Sequence, residues 1–410
     1  MKTLIVHQNY PGQYAHIAPA LRARGDKVAV ISAREHPAAA GMQLRTYPPP
    51  SKAPDEVRYG RFAENALRRA ERVAEEALAL RRDGFRPDVM AAHLGWGEAI
   101  FLKDVFPTTP LLLYGEFFYS PHGADVGFMP DEPVTVQTAM RVRAMNAPLL
   151  MAMQAADWGI SPTRWQRDRL PSWFRERTSL VHDGVDTATC RPDPDATFTL
   201  PNGEVLRAGD EVVTYVSRGL EPYRGFPTFA RALPRLLRER PGLRVVVVGA
   251  EGVHYGRAPS GGGTWKDKLL AELGELDPAR VVFTGRIPYA ALLDLFRVSM
   301  AHVYLTVPFV LSWSMLEAMA CGALLVASST PPAEEVVQDG RNGLLTDFHD
   351  SGALAERLLS VLADPARLAP LRQAARRTVE QSYDLARICL PRQMSLLDTL
   401  AGRQRPLTFA

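Results

Sequence analysis

The sequence VPFVLSWSMLEAMACGALLVASS, residues 307–329, is almost wholly apolar and carries a single carboxylate, Glu317. Its pattern predicts a helix that starts near Ser312 and ends at Gly322, because glycine is favoured just past a helix end. The apolar run ALLVASS that follows is typical of a buried strand. Helices that alternate with short buried strands are characteristic of parallel α/β layers.

The same alternation continues on both sides of this stretch. In the second half of the chain the predicted strands are EVVTYVSRG, LRVVVVGAEG, RVVFTGRIP and AHVYLTV. In the first half they are TLIVH, KVAVIS, PDVMAAH and PLLLYGE. Between Phe62 and Leu80 apolar residues recur at spacings of three and four, which predicts an amphipathic helix. The fold class is therefore α/β, with a parallel sheet in each half.

A change in composition separates the two halves. Residues 190–210 are rich in proline, aspartate and glycine, and Asn202-Gly203 is a hairpin signal. We therefore predict an N-terminal domain over residues 1–190 and a C-terminal domain over 191–383, facing each other across a cleft. The final helices, including residues 384–410, are expected to return to the N-terminal domain.

Composition narrows the function classes. The 410 residues are 46% apolar and 23% charged, and a net charge of +3 gives no sign of a nucleic-acid partner. Three scattered cysteines fit a reducing compartment and form neither a disulfide framework nor a zinc site. The N-terminal apolar run is too short for a signal peptide, and no stretch approaches the roughly 20 apolar residues of a spanning helix. We expect a cytoplasmic protein, with peripheral contact at the inner membrane surface left open by the arginine-rich, aromatic segment 164–177.

Glu317 needs a partner, because a carboxylate removed from water is costly unless it is paired or hydrogen-bonded. Free N–H groups at Ser312, Trp313 and Ser314 would make the helix start an anion site. One to two turns further along, the carboxylate can accept hydrogen bonds from the two hydroxyls of a ribose. The residues alone leave open the alternative that Glu317 pairs with a buried arginine.

Two arginines occupy a loop between a strand and a helix in YVSRGLEPYRGF, residues 215–226. Arg218 and Arg224 can bind a diphosphate through charge-assisted, bidentate hydrogen bonds. Such a loop is by itself more often a solvated one, but the helix start and Glu317 favour a nucleotide diphosphate site. In the first half, His7, His93 and Glu116 end strands, at the edge where open α/β sheets bind ligands.

Three segments, SRGLEPYRGF, VVFTGRIPYAALLDLF and SMLEAMACGALLVASSTPPAEEVVQDGRNGLL, resemble the retaining GT-B glycosyltransferases of the family called glycosyl transferases group 1. PDVMAAH and ADWGISPTRWQ in the first half are similar to it as well, so the resemblance runs over nearly the whole chain. It implies the GT-B architecture, with two Rossmann-like parallel-sheet domains facing across a cleft and a C-terminal helix that returns to the N-terminal domain.

The resemblance also implies roles for individual residues. Glu317 would hold the nucleotide ribose, Arg218 and Arg224 would neutralise the diphosphate, and His93 would lie beside the donor sugar. Gly12 matches a loop that lets the backbone approach phosphate or acceptor. The predicted donor-binding set is completed by residues near the base and at the helix start, namely Arg286, Ile287, Phe309, Leu311, Ser312, Trp313 and Ser314.

This sequence departs from the family pattern at three positions. Phe309 stands where the family carries a glutamate, which changes how the donor sugar would be held. Glu116 ends a strand that often ends in histidine, and it would place a carboxylate near the acceptor as a base or hydroxyl ligand. Arg224 occupies a position that is more often lysine.

From this resemblance we expect a retaining, metal-independent hexosyltransferase without a cofactor. It would move a sugar from a nucleotide-sugar donor, with a UDP-sugar favoured, to a saccharide, lipid-linked or small-molecule acceptor. No carboxylate pair for double displacement is visible. The resemblance implies instead a front-face displacement, in which the leaving diphosphate takes the acceptor proton. A related GT-B phosphorylase or epimerase is the alternative. A nicotinamide-dependent oxidoreductase would need a glycine fingerprint that the sequence lacks, and a solute-binding protein would need an export signal.

Overall fold

The computed structural model describes residues 1–54, 59–274 and 276–402, and the chain divides into two compact units. One unit contains Met1–Gly184 together with the chain from Ala386, and the other contains Val185–Leu385. The predicted divisions at residues 190 and 383 lie six and two residues from these. Residues 403–410 of the predicted C-terminal segment lie outside the described residues.

In the described part of the first unit, seven parallel strands form one sheet in the order β3-β2-β1-β4-β5-β6-β7. The strands are β1 (Lys2–Val6), β2 (Lys27–Ser32), β3 (Gln43–Thr46), β4 (Val89–His93), β5 (Leu111–Tyr114), β6 (Trp158–Ser161) and β7 (Thr178–Leu180). The helices are α1 (Ile17–Ala23), α2 (Arg61–Arg82), α3 (Leu102–Val105), α4 (Val136–Met145), α5 (Ala147–Ala155), α6 (Arg164–Arg169) and α7 (Ser172–Arg175). The direction of strand addition reverses between β1 and β4, and doubly wound sheets bind ligands outside the carboxyl ends of the strands at such a point.

The predicted amphipathic helix is confirmed as α2. Its buried face consists of Ala66, Ala70, Val73, Ala77 and Leu80, which follow the spacing read from the sequence. These side chains pack with Leu4, Met90 and Leu111 of the sheet in one apolar core. The small alanines let the helix lie close to the strands.

The second unit has a sheet of the same design. In its described residues, a hairpin of β8 (Thr197–Thr199) and β9 (Val205–Arg207) precedes a six-stranded parallel sheet in the order β12-β11-β10-β13-β14-β15. The sheet strands are β10 (Val212–Gly219), β11 (Arg244–Ala250), β12 (Val281–Gly285), β13 (Ala301–Tyr304), β14 (Leu324–Ser328) and β15 (Leu344–Thr346). The helices are α8 (Phe226–Glu239), α9 (Trp265–Leu273), α10 (Tyr289–Val298), α11 (Trp313–Cys321), α12 (Pro331–Glu334), α13 (Ser351–Ala363) and α14 (Ala369–Ser382). Here the reversal lies between β10 and β13, and the order is that of dinucleotide-binding Rossmann domains.

The Asn202-Gly203 hairpin is confirmed, because β8 and β9 pair antiparallel around it and Gly203 takes a φ of 89°. After the second unit, α15 (Leu390–Leu400) packs against α1 within the first unit. Arg24 makes a bidentate ion pair with Asp398 on this helix, at 2.6 and 2.9 Å. Within the three described ranges, no helix has the length and hydropathy that a membrane span requires.

Candidate functional site

The helix predicted from residues 307–329 forms as α11, with Ser312 as its N-cap and Gly322 as its C-cap at a φ of 89°. The Ser312 side chain does not cap the helix, because its hydroxyl lies 2.9 Å from the Ser314 hydroxyl instead. The expectation of a free N–H at Ser312 is wrong, since this group donates to the Tyr304 hydroxyl at 2.8 Å. At the same helix start, Trp313 is 44% exposed.

Glu317 is half-buried on this helix, and its Oε1 accepts a 2.8 Å hydrogen bond from the Tyr289 hydroxyl at the start of α10. Burial raises the pKa of Glu317 above its ordinary value, and the bond from Tyr289 lowers it in part. Among the residues that the structure describes, no arginine or lysine forms an ion pair with Glu317. The structure therefore gives no support to the alternative of a buried arginine partner.

Arg224 lies in the loop between β10 and α8, and only 8% of it is exposed. Its Nη1 donates to the hydroxyl of Thr306 at 2.8 Å, to the carbonyl of Val310 at 3.2 Å and to the hydroxyl of Tyr304 at 3.4 Å. All three acceptors are neutral. In the described part of the chain no carboxylate forms an ion pair with this guanidinium, so its charge is available to an anionic ligand.

Arg218 differs from Arg224 in being exposed at the end of β10. Both guanidinium groups lie over the ring of Tyr255, at 5.6 Å for Arg218 and 5.3 Å for Arg224. The turn that leads from Arg224 into α8 requires Gly225, which has a φ of 67° and whose added Cβ would lie 2.4 Å from Leu305 Cβ. The loop thus brings the two predicted diphosphate ligands to one aromatic ring.

Phe309 belongs to an aromatic cluster beside these arginines. Its ring meets Tyr255 edge-on at 5.4 Å and Tyr223 edge-on at 5.9 Å. Of the remaining predicted donor residues, Leu311 and Ile287 are half-buried and pack against apolar cores. Arg286 is exposed just after β12, two strands from β10 in the sheet.

In the first unit, His93 ends β4 and is 1% exposed. Its Nδ1 accepts the Gly95 N–H at 2.9 Å, which places the proton of a neutral ring on Nε2. The ring stacks on Trp96 at 4.1 Å between centroids. Nε2 lies 3.4 Å from Glu116 Oε2 without forming a hydrogen bond to any described residue. It is a buried donor that a ligand hydroxyl can satisfy.

Glu116 is held by a relay of hydrogen bonds from the loop after β1. His7 Nδ1 accepts the Asn9 N–H at 3.1 Å, so its Nε2 donates to Gln13 Oε1 at 3.0 Å. Gln13 Nε2 then donates to Glu116 Oε1 at 3.3 Å. Burial lowers the pKa of His7 to about 3, with a further contribution from His93, so His7 is neutral and the direction of the relay is fixed.

Gly12 immediately precedes Gln13 in the loop that contains this relay. It has a φ of 46°, and an added Cβ would lie 2.4 Å from Cε1 of His7. The structure thus gives a local reason for glycine at this position, and approach to a phosphate or acceptor stays a prediction.

Sequence reasoning missed several residues of these sites, among them Gln13, Tyr255 and Tyr289. Gln13 follows Gly12 in the loop after β1, which is the one local signal that pointed to it. Within residues 1–54, 59–274 and 276–402, no three histidine, cysteine, aspartate or glutamate side chains cluster as metal ligands do.

Comparisons with known proteins match both halves of the chain. Residues 24–190 match the family described as Glycosyl transferase family 4 group, and residues 198–378 match Glycosyl transferases group 1. The GDP-mannose-dependent alpha-(1-6)-phosphatidylinositol monomannoside mannosyltransferase of Mycolicibacterium smegmatis is 30% identical over 306 residues, which are 70% of each protein. The chain belongs to the group 1 glycosyltransferases. The resemblance to group 1 is therefore confirmed, and retention of configuration stays a prediction.

This glycosyltransferase is also similar to the D-inositol 3-phosphate glycosyltransferase of Thermobispora bispora, at 33% identity over 203 residues. That match covers 49% of the chain and 46% of the relative, so it spans about half of each.

Solved structures show the fold of the glycosyltransferase. Anabaena HepE in complex with UDP-glucose is 18% identical, with 97% of this chain and 100% of that one covered and a TM-score of 0.66. The sucrose-phosphate synthase of Thermosynechococcus elongatus is 19% identical, with 98% and 100% covered and a TM-score of 0.70. The predicted GT-B class, with two Rossmann-like parallel-sheet domains, is confirmed.

Proposed function

We propose that this glycosyltransferase moves a sugar from a nucleoside-diphosphate sugar to a saccharide, lipid-linked or small-molecule acceptor, with retention of configuration and without a metal ion. The observation that carries the proposal is the Arg224 guanidinium, which is 8% exposed and, among the described residues, forms hydrogen bonds with neutral acceptors and no ion pair. A buried charge is costly unless an opposite charge meets it. The diphosphate of a donor supplies that charge.

The order of groups along the second unit fits a sugar nucleotide. Glu317 lies inside α11 and offers carboxylate oxygens to the ribose hydroxyls. The start of the same helix, beside Ser314, favours a phosphate through its amides and dipole. Arg224 bonds to Val310, which precedes that start, and so meets the distal phosphate. Glu317, the start of α11 and Arg224 would thus contact the ribose, the first phosphate and the second phosphate, in that order.

Catalysis in this proposal depends on charge that grows as the sugar departs. The leaving diphosphate becomes more negative in the transition state, and fixed cations stabilise it more there than in the ground state. Arg218 and Arg224 supply those cations, and the leaving diphosphate accepts the acceptor proton. His93 Nε2 stays the predicted donor to a sugar hydroxyl, and Glu116 stays the predicted base or hydroxyl ligand for the acceptor.

The relatives support a nucleotide-sugar donor without fixing its base. HepE has been solved with UDP-glucose, whereas the M. smegmatis relative is by name dependent on GDP-mannose. We favour a UDP-sugar and test both. A lipid-linked acceptor is supported by the phosphatidylinositol monomannoside in the relative's name, and the exposed Trp173 and Arg175 of α7 offer a point of peripheral membrane contact.

The experiment is a thermal-shift panel. The full chain is heated alone and with UDP-glucose, GDP-mannose, ADP-glucose, NADH or glucose 1-phosphate, each in EDTA. A rise in the melting temperature with a sugar nucleotide supports the proposal, since a ligand that binds the native state stabilises it. A rise with NADH or with glucose 1-phosphate alone, or no rise with any sugar nucleotide, would overturn it. The Glu317→Gln variant, which lacks the charged diol acceptor, is the matched control and should respond less.

A further inference from the structure

The loop after β11 is fastened by one buried carboxylate. Glu221 is 0% exposed, and its side chain accepts the backbone N–H groups of His254 at 3.2 Å, Tyr255 at 3.1 Å and Gly256 at 2.9 Å. Three consecutive amides that converge on one anion form a rigid arrangement. Gly219 adds to the fit, because a Cβ there would lie 2.5 Å from the His254 ring.

The hydrogen bonds to Glu221 hold the loop so that the Tyr255 ring lies against both arginines. The guanidinium of Arg224 lies 5.3 Å from the ring centroid and that of Arg218 lies 5.6 Å from it. An aromatic face attracts a cation and restricts its orientation without neutralising it. The two like charges are thus held near one another with their charge still available.

We infer that Tyr255 is a positioning residue that preorganises Arg218 and Arg224 for the diphosphate of the donor, and that Glu221 acts through it by fixing the loop. This inference rests on the proposed function, since the diphosphate is the ligand that the arginines would bind. The aromatic ring is the part of Tyr255 that contacts both cations, whereas the hydroxyl adds a side-chain interaction with Arg224. Its loss therefore affects ligands with a second phosphate more than ligands with one.

Isothermal titration calorimetry on the full chain tests this difference. UDP, GDP and ADP are each compared with UMP, GMP and AMP, and the diphosphate that wild type binds best is used with the variants. Tyr255→Leu should weaken the diphosphate about tenfold and the matching monophosphate less than about twofold. Tyr255→Phe keeps the ring and should stay within about threefold of wild type for both. Arg257→Ala removes a charge from the same loop and should change neither affinity by more than about twofold.

The outcomes separate the two proposals. If wild type binds none of the diphosphates, the proposed function fails. Suppose that wild type binds one of the diphosphates. The role of Tyr255 is then overturned if Tyr255→Leu binds that diphosphate as tightly as wild type does, or if it loses affinity for the diphosphate and the monophosphate by the same factor. A Tyr255→Phe variant as weak as Tyr255→Leu would overturn the role of the ring. Glu221→Gln removes the charge that gathers the three amides, so it should reproduce the selective loss even where Tyr255→Leu folds poorly.

Discussion

The hydroxyl of Tyr289 donates a 2.8 Å hydrogen bond to Oε1 of Glu317, so one oxygen of this carboxylate is oriented by a neutral partner. A neutral partner leaves the negative charge in place, whereas an arginine would have cancelled it. Within the described residues no cation pairs with Glu317, and burial raises its pKa. The arrangement keeps a polarised acceptor ready for a diol.

We predict that nucleotide affinity depends on pH through Glu317. The ionised carboxylate is the better acceptor for two hydroxyls, so affinity should rise as the pH passes upward through the raised pKa and level off above it. Glu317→Gln should bind more weakly at neutral pH and lose this acid dependence. Calorimetric titration of the nucleotide across acid and neutral pH measures both, and a variant with the same acid dependence as wild type would contradict the diol role.

The second prediction concerns Arg224. Arg224→Gln removes a cation that faces the growing charge, so kcat should fall by about 10²–10³ while KM changes less. Arg224→Lys keeps the charge and should lose much less activity. Arg257→Gln is the matched control, because Arg257 is an exposed arginine outside the predicted donor-binding set and should leave kcat within about twofold of wild type. A kcat within about twofold of wild type in Arg224→Gln would show that Arg224 is structural.

The third prediction follows from Phe309, which has an aromatic ring at the position where the family carries a glutamate that would accept hydrogen bonds from sugar hydroxyls. A hydrogen bond to a charged group contributes about 1.5–3 kcal/mol, or a factor of roughly 10–150. Without that bond, a 3-deoxy donor should lose less than about tenfold in kcat/KM relative to the parent donor. Phe309→Glu should increase this discrimination, and Phe309→Leu should not. A loss of about a hundredfold with the wild-type enzyme would contradict the prediction.

Local pattern predicted the elements well, because strands and helices depend on near neighbours. β2 was predicted over residues 27–32, and it occupies Lys27–Ser32. β3 (Gln43–Thr46) was missed because QLRT has no apolar run. These residues form a strand because their backbone pairs with β2. The predicted boundary, read from the proline-rich residues 190–210, lies later than the division at Gly184, since Val185 and Cys190 pack into a core of the second unit.

The site was predicted where one segment carries the chemistry and missed where distant segments meet. Arg224 and Glu317 stand out in their own segments. Tyr289 reaches Glu317 across 28 positions, and Glu221 reaches the Tyr255 amide across 34. No local period encodes such contacts. The prediction of a free N–H at Ser312 was wrong for the same reason, because the acceptor of this group, the Tyr304 hydroxyl, is on a neighbouring strand.

The fourth prediction concerns acid stability. His302 is fully buried, its Nδ1 lies 2.9 Å from the Thr214 hydroxyl, and burial lowers its pKa to about 3. Below about pH 6.5 the unfolded chain takes up a proton on His302 that the folded chain does not. The free energy of unfolding therefore decreases as the pH is lowered from about 6.5 to about 3. Each pH unit in this window costs about 1.4 kcal/mol per such histidine. His302→Gln should therefore show a smaller drop in melting temperature between pH 7 and pH 5 than wild type. An equal drop in both proteins would mean that His302 does not contribute.

The central claim is that a nucleoside diphosphate departs from its sugar against protein cations and without a metal. The most direct measurement is release of UDP, GDP or ADP from the sugar nucleotide that stabilises the protein, followed with a range of saccharide and lipid-linked acceptors in excess EDTA. The account predicts acceptor-dependent release at the same rate with EDTA or with added Mg²⁺, reduced about 10²–10³-fold in Arg224→Gln. Release that stops in EDTA and returns only with Mg²⁺ or Mn²⁺, or that persists in Arg224→Gln, would contradict it.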